Sequence, residues 1–385
     1  MKKIFILGLI TLISTITYAQ WQATNGSFGG KVKAFVSDGS NLYAGSYGGG
    51  VLIYNSANNE WTASNSGLTL KLVNTLAVSG NNIFSGIDFS GVFLSADKAG
   101  SWSAVNNGLK SLDVKFLLVK DNLIFAATSP KGIYISDNNG TSWTASGMSN
   151  LANAMTVCGK NIFAGTMEAG VLMSTDDGKT WTSAGLTDKS VNALACIGTT
   201  IFAGTTQDGI HISKDNGANW TKVSSNISNP CVWSLVVKGN DIYAGTNGEG
   251  VYKSSDNGSA WTALNDNLTE KIIYSLYVYD NTLFAGTSGT GGKVWKFAAG
   301  GSGMSNVSSS SDFSVFPNPA KDLISIESDI SFQRYSIVNN LGQSIISENK
   351  LIDNQIRLNN VPSGIYHLVL TSKDNRKSSC KLVIE

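Results

Sequence analysis

The chain has 385 residues, of which 41 are Gly and 5 are Pro, with 42% apolar and 14% charged residues. An average domain carries about 25% charged residues, so this composition points to β-strands joined by many tight turns. The apolar share and the 9 Trp exclude disorder, and a formal charge of +1 gives no basis for a nucleic-acid partner or an anionic membrane surface.

Lys2 and Lys3 precede an apolar run from Ile4 to about Ile16, and Ala19 precedes Gln20. A charged start, an apolar stretch and a small residue at the cut read as a secretory signal peptide over residues 1–19. The run is shorter than the ~20 residues a membrane span needs, so no transmembrane anchor is expected in the mature chain. No Cys follows the cut, so a lipoprotein anchor is not supported. The Ala-Gln junction resembles signal peptides of Bacteroidota.

From Gln20 the chain repeats. An aromatic residue before a small-residue step falls at Tyr43, Phe84, Phe125, Phe163, Phe202, Tyr243 and Phe284, spaced by 41, 41, 38, 39, 41 and 41. A second marker falls at Trp61, Trp102, Trp143, Trp181, Trp220 and Trp261, with spacings of 41, 41, 38, 39 and 41. Two independent markers with one period define a repeat array. Within the fourth repeat, strands are expected at Asn153–Val157, Ile162–Thr166, Val171–Ser174 and Trp181–Ala184. Four short strands per ~40 residues describe a β-propeller blade. Seven repeats have a first strand, but only six end in the Trp marker. Trp21-Gln-Ala-Thr24 matches Trp61-Thr-Ala-Ser64, so the N-terminal strand is expected to complete the last blade. The fold class read from the sequence is therefore all-β. It comprises a seven-bladed β-propeller over 20–300, closed by its N-terminal strand, and a small C-terminal Ig-like β-sandwich.

The turns at 95–102, 136–143, 174–181, 213–220 and 254–261 share one pattern, seen most clearly in Ser174-Thr-Asp-Asp-Gly-Lys-Thr-Trp181. They resemble the Asp-box of BNR repeats. Its residues here are Asp97 and Trp102, Asn138 and Trp143, Asp176 and Trp181, Asp215 and Trp220, and Asp256 and Trp261. Asn138 departs from the pattern, and the first repeat's turn, Tyr54 to Trp61, has lost it. The expected job is structural: Asp accepts backbone N–H bonds, Gly takes a positive φ, and Trp packs between blades. In the resembling families these turns lie on the face away from the active site.

The relatives with such repeats include sialidases, which grip a substrate carboxylate with three Arg. Residues 20–300 contain no Arg, 18 Lys and 19 acidic residues, so sialidase activity is rejected. A likeness to photosystem-assembly propellers also lacks the Arg-rich surface expected there. The loops between second and third strands are expected on the face opposite the Asp-boxes. They carry Asp88, Glu168, Asp208 and Glu249, with Tyr47, Phe89 and Met167 beside them. Acids and aromatics on one face suit glycan binding, and two facing carboxylates would suit a glycoside hydrolase resembling the propeller xyloglucanases. Acids at hairpin tips are otherwise simply solvated. His211, in a strand run, reads as a packed or exposed strand residue rather than a base. No cofactor or metal site is expected.

Residues 301–312 read as a Gly/Ser linker. Beyond it, Phe316-Pro-Asn-Pro319, Tyr335 to Gln343 with Gly342, Val361-Pro-Ser-Gly364-Ile-Tyr366-His and Lys381–Ile384 resemble a type IX secretion sorting domain, type A, over 313–385. Pro317, Asn318, Pro319, Gly342, Gly364 and Tyr366 carry the motif. The resemblance implies export across the outer membrane by the type IX machinery, and removal of this domain by its sorting peptidase. The four cysteines, Cys158, Cys196, Cys231 and Cys380, read as small buried hydrophobes rather than a disulfide or metal site. The expected function is a secreted or cell-surface binding module for a glycan or protein, with a glycan-cleaving enzyme as the alternative.

Overall fold

A computed structural model describes residues 20–130, 132–224, 226–288, 291–298, 313–328, 331–339, 344–358, 361–373 and 377–385. The expected signal peptide (1–19), the linker (301–312) and Gly342 lie outside the described residues. Among the described residues every regular element is a β-strand. They fall into two compact units, one ending at residue 298 and one beginning at residue 313.

The first unit is built of seven four-stranded antiparallel sheets. Their first strands are Lys31–Ser37, Val73–Ser79, Val114–Lys120, Ala152–Cys158, Val191–Ile197, Val232–Lys238 and Ile273–Tyr279. Six sheets follow chain order. The seventh takes Ile273–Tyr279, Thr282–Thr287 and Val294–Ala298, then Gln20–Ala23 from the start of the chain. There Trp21 pairs with Phe297, and its buried indole donates a 2.6 Å bond to the Leu264 carbonyl. Each first strand packs beside the next, and the strand at Lys31–Ser37 also packs beside the one at Ile273–Tyr279.

The core lies between sheets rather than within them. Phe84 of the second sheet packs with Val114 and Trp143 of the third, and Tyr43 of the first with Val73 and Trp102 of the second. All seven aromatic markers are buried. A sheet hydrophobic on both faces can be satisfied only by another sheet on each side, which is why one period sets the whole unit.

The Ser–Trp turns lock the outer edge. In the fourth sheet the buried Ser174 hydroxyl donates to Asp176 Oδ1 at 2.8 Å and accepts the Gly178 N–H at 2.8 Å. Asp176 accepts the Thr180 N–H at 2.9 Å and the Thr180 hydroxyl at 2.6 Å. Asp177 and Gly178 both have positive φ, 58° and 81°. A Cβ on Gly178 would also stand 2.6 Å from Phe125 Cε1 of the preceding sheet, so glycine serves the turn and the packing together. Four indoles reach back to the preceding sheet. Trp102, Trp143, Trp220 and Trp261 donate to the carbonyls of Ser64, Val105, Ala184 and Val223. Trp181 instead donates to Gly178 of its own turn. Where this turn is present, the fourth strand is short: Thr182–Ser183 replaces the expected Trp181–Ala184, because the turn consumes the residues up to the Trp. Where it is absent, in the first sheet, the fourth strand runs over Glu60–Ala63.

One expectation is overturned. Cys158 and Cys196 form a disulfide with a Cα–Cα distance of 5.7 Å. They lie on the adjacent first strands of the fourth and fifth sheets. Counted back from the aromatic markers Phe163 and Phe202, they sit five and six residues away. Successive strand side chains point to opposite faces, so this offset of one turns the two sulfurs toward each other across the gap between sheets. Cys231 and Cys380 are free thiols, and Cys231 is buried as expected.

The second unit has a three-stranded sheet, Ser314–Phe316, Leu323–Glu327 and Gln355–Arg357. A four-stranded sheet runs in the order Ser344–Lys350, Phe332–Asn339, Gly364–Ser372 and Lys377–Ile384. Both sheets feed one core that includes Phe313, Ile324, Phe332, Ile337, Leu368 and Leu382. The motif residues tie its ends: Asn318 Oδ1 accepts the Val383 N–H at 2.8 Å, and Tyr366 donates to the Pro362 carbonyl at 2.8 Å. Pro317 and Pro319 both follow cis peptide bonds, and Gly364 opens the long strand to Ser372.

Candidate functional site

The first strands share a second feature. Each carries a β-bulge at the same place, so that one residue per sheet drops out of the ladder. Those residues are Lys33, Asn74, Lys115, Asn153, Asn192, Trp233 and Tyr274. A bulge re-aims a side chain without breaking the strand. All seven line one cavity of about 1190 Å³ in the first unit. None is aliphatic: three are amides, two are ammonium groups and two are aromatic.

This ring was hidden in the sequence, yet it has a marker. Each of its members lies ten residues before the aromatic marker of its repeat. In sequence that column is masked, because a residue inside a strand reads as part of the ladder. The cavity takes some loop residues as well. Met167, Glu168, Gln207 and Asp208 line it, whereas Asp88 and Glu249 do not. The Ser–Trp turns contribute no lining residue among those described.

The loop acids expected to act as a group have separate environments. Asp88 is not a solvated tip: it is 5% exposed. Its carboxylate accepts bonds from the Tyr47 hydroxyl at 2.7 Å, Asn74 Nδ2 at 2.9 Å and Lys115 Nζ at 2.8 Å. Burial works against its charge, but hydrogen bonds from Asp113, Lys115, Tyr47 and Asn74 outweigh it and hold the carboxyl well below the usual range. Burial, then the bond to Asp88, pushes the partner Asp113 up. Lys115 spans both, 2.7 Å from Asp113 Oδ1. Asp208 is held at about 2, first by Lys222, against burial, and then by Lys189. Of the two strand environments open to His211, packed or exposed, the structure shows the packed one, with Nε2 3.1 Å from Asp208 Oδ2. Burial lowers its pKa against the pull of Asp208. Glu249 accepts a 2.8 Å bond from the Tyr252 hydroxyl. Phe89 is 66% exposed at a positive φ of 58° and makes no part of the cavity wall. Of the loop residues singled out in the sequence, only Met167, Glu168 and Asp208 come together at the cavity.

The cavity has two sides of different character. On one, Trp233 stacks on Tyr274 with ring centres 5.8 Å apart and planes at 29°. Lys31 Nζ lies 5.0 Å from the centre of the same Tyr274 ring. Lys33 donates to Asn74 Oδ1 and sits 5.1 Å from the Tyr47 ring. Burial lowers the Lys33 ammonium to about 8. On the other side, Lys189 pairs with Asp188 at 2.9 Å and with Asp208 at 3.3 Å.

Comparison with known proteins fixes the destination of the chain. Residues 314–385 match the family described as secretion system C-terminal sorting domain. The chain is exported by type IX secretion to the cell surface or the extracellular space. No helix among the described residues is long and apolar enough to cross a membrane. No curated protein matches the chain. Solved structures resemble it in fold. PorZ, a bacterial surface component of the type IX secretion system of Porphyromonas gingivalis, is 16% identical with a TM-score of 0.55. That match covers 92% of this chain and 59% of the PorZ chain. YCF48 bound to D1 peptide is 14% identical with a TM-score of 0.61, over 73% of this chain and 96% of that one. The WD40 beta propeller domain of Doa1 is 15% identical with a TM-score of 0.61, over 73% and 97%. With the repeated four-stranded sheets, these likenesses make the first unit a β-propeller.

Proposed function

We propose that the exported chain is a non-catalytic binding module for a glycan or protein, presented on a seven-bladed propeller closed by its N-terminal strand. In this reading residues 1–19 are a signal peptide, 20–300 the propeller with BNR-type Asp-box turns, 301–312 a linker and 313–385 an Ig-like sorting domain. The sorting peptidase removes that last domain after export. The observation that carries the reading is the bulge ring. Seven strands that repeat almost everywhere else place seven side chains of three chemical kinds into one cavity. A fold device needs sameness, and a binding wall needs difference. Fold relatives described as a secretion-system surface component and as bound to a peptide are in keeping with it.

The test is glycan-array and surface cross-linking of the mature protein beside an Asn153→Ala, Asn192→Ala, Trp233→Phe variant. The wild type should mark a discrete set of ligands, and the variant should lose them while melting at the same temperature. No ligand in either assay would end the reading. For the export signal, deleting residues 313–385 should leave the propeller in the periplasm; normal secretion of the shortened chain would refute it.

A second reading, a glycoside hydrolase, has one observation behind it: Glu168 and Asp208 both line the cavity. Against it stands the environment of Asp208, whose cationic partners favour the charged form, where a general acid needs a raised pKa. Release of reducing sugar from a glycan panel by the wild type, lost in Glu168→Gln with Asp208→Asn, would establish it.

A further inference from the structure

We propose that the Lys31, Lys33, Tyr274 and Trp233 side of the cavity is a binding site for an acidic glycan, a sugar chain bearing uronate-type carboxylates. This rests on the binding-module reading and narrows it to one ligand class.

The cations come first. Lys115 and Lys189 are neutralised by salt bridges within the wall. Lys31 and Lys33 have no salt bridge among the described residues. Asp88, the carboxylate that acts most strongly on Lys33, is already engaged by Lys115, Tyr47 and Asn74. Two ammonium groups thus face a cavity without a counter-charge, and one of them is poorly hydrated, since burial is the largest influence on it. Such a group gains more from an arriving anion than a fully exposed lysine does, because part of its desolvation has already been incurred.

The aromatics specify what carries the anion. Trp233 and Tyr274, stacked on each other, bring aromatic surface edged by polar atoms to the cavity wall, of the kind that packs against the C–H face and hydroxyl rim of a pyranose. Trp233 Nε1 is buried with no partner among the described residues. Asn153 adds an amide to the wall, and Asn192, whose Nδ2 donates to Thr206 Oγ1 and the Val232 carbonyl, adds its Oδ1 as an acceptor for hydroxyl groups. The seven bulge residues are amide, ammonium or aromatic, which favours a polar ligand at the ring, while the aliphatic lining, such as Met155, Leu194, Leu235 and Leu276, comes from positions beside it. The cavity, about 1190 Å³, exceeds the ~300–1,000 Å³ of a typical small-molecule site, which suits an oligosaccharide over a single metabolite. Glu168, Asp188 and Asp208 lie on the other side, so the carboxylates of the ligand are held at the lysine side and its neutral rings extend away from it.

The test uses the mature protein, with galacturonic acid oligomers and galactose oligomers of equal length, followed by calorimetry. Expected is binding of the acidic oligomer that weakens with added salt, and weaker or no binding of the neutral one. A Lys31→Gln, Lys33→Gln variant should lose about tenfold or more for the acidic oligomer, with no fall in its melting temperature. Tyr274→Leu should weaken the acidic oligomer as well, since it removes the stacking face and leaves the charge. Equal affinity for both oligomers, or full affinity in the lysine variant, would overturn the acidic class while leaving a glycan-binding module in place. Binding of neither oligomer also overturns it, and the array and cross-linking results then decide the broader reading by themselves.

Discussion

The rim of the propeller and its inner wall obey opposite rules. At the rim, five turns from different sheets adopt one geometry, with a buried serine hydroxyl bonded to the residue two places on in each. Even the deviant turn conforms: Asn138 accepts the Ser142 N–H at 2.9 Å, as Asp176 accepts that of Thr180. Its Nδ2 then donates 2.8 Å to the Ser142 hydroxyl, so only the direction of that bond is reversed. At the inner wall, seven positions share one backbone bulge and differ in side chain. Identical chemistry on a repeated backbone serves the backbone. Varied chemistry on a repeated backbone is what the proposed binding role requires.

The comparison breaks most severely if rim or closure residues can be removed without loss of stability. Trp21 is fully buried, holds the Leu264 carbonyl and stands on the strand that completes the seventh sheet. Trp21→Ala should cost about 3–5 kcal/mol in chemical denaturation, as large-to-small core changes do. A smaller but definite loss is expected for Ser174→Ala. It leaves the Gly178 N–H without its acceptor in a buried turn, at about 1–3 kcal/mol. If either variant matched the wild type in denaturant midpoint, the rim would not be a stability device.

Much of this division was legible in the sequence, because a period of about 40 residues sets which residues share an environment. The aromatic markers gave the interfaces, and the match of Trp21 to Trp61 gave the strand that Gln20–Ala23 adds to the seventh sheet. What escaped was whatever depends on one residue of register. The Lys33 to Tyr274 column looks like ordinary strand sequence, since a bulge changes hydrogen bonding and leaves composition untouched. The Cys158–Cys196 bond escaped for the same reason: it follows from an offset of one between adjacent repeats. Asp88 looked like a solvated tip because its partners, Asn74 and Lys115, come from two different first strands.

A gentler probe of the rim is acid. Asp97 and Asp176 are held at about 2 in the folded chain, first by the hydroxyls of Ser101 and Thr180 and then by their N–H groups. Their unfolded value is near 3.9. A carboxyl lowered in this way adds stability that is complete above about pH 4 and is lost as pH falls through about 2. Asn138 shows that an amide can hold the same turn. Asp97→Asn with Asp176→Asn should therefore fold normally at neutral pH and lose less stability between pH 4 and 2 than the wild type. Equal slopes in that window would mean that these turns carry no such dependence.

The finest test sets stability against binding at one residue. The Lys33 ammonium is lowered to about 8 by burial, with Lys115 and Lys31 also repelling it and Asp88 and Asp113 attracting it; Tyr47 and Asn74 are the neutral groups beside it. Below pH 8 Lys33 carries the charge that would hold an acidic sugar, and above it that charge is lost. Affinity for galacturonic acid oligomers should thus fall as pH rises through about 8. Stability should move the other way. With a folded value below the unfolded ~10.4, the charged form is penalised in the native chain, and that penalty lifts as pH rises from about 8 toward 10. Opposite slopes for binding and melting temperature in one pH window, both flattened in Lys33→Gln, would single out a wall residue kept for a ligand at the expense of the fold. Parallel slopes would return Lys33 to the scaffold.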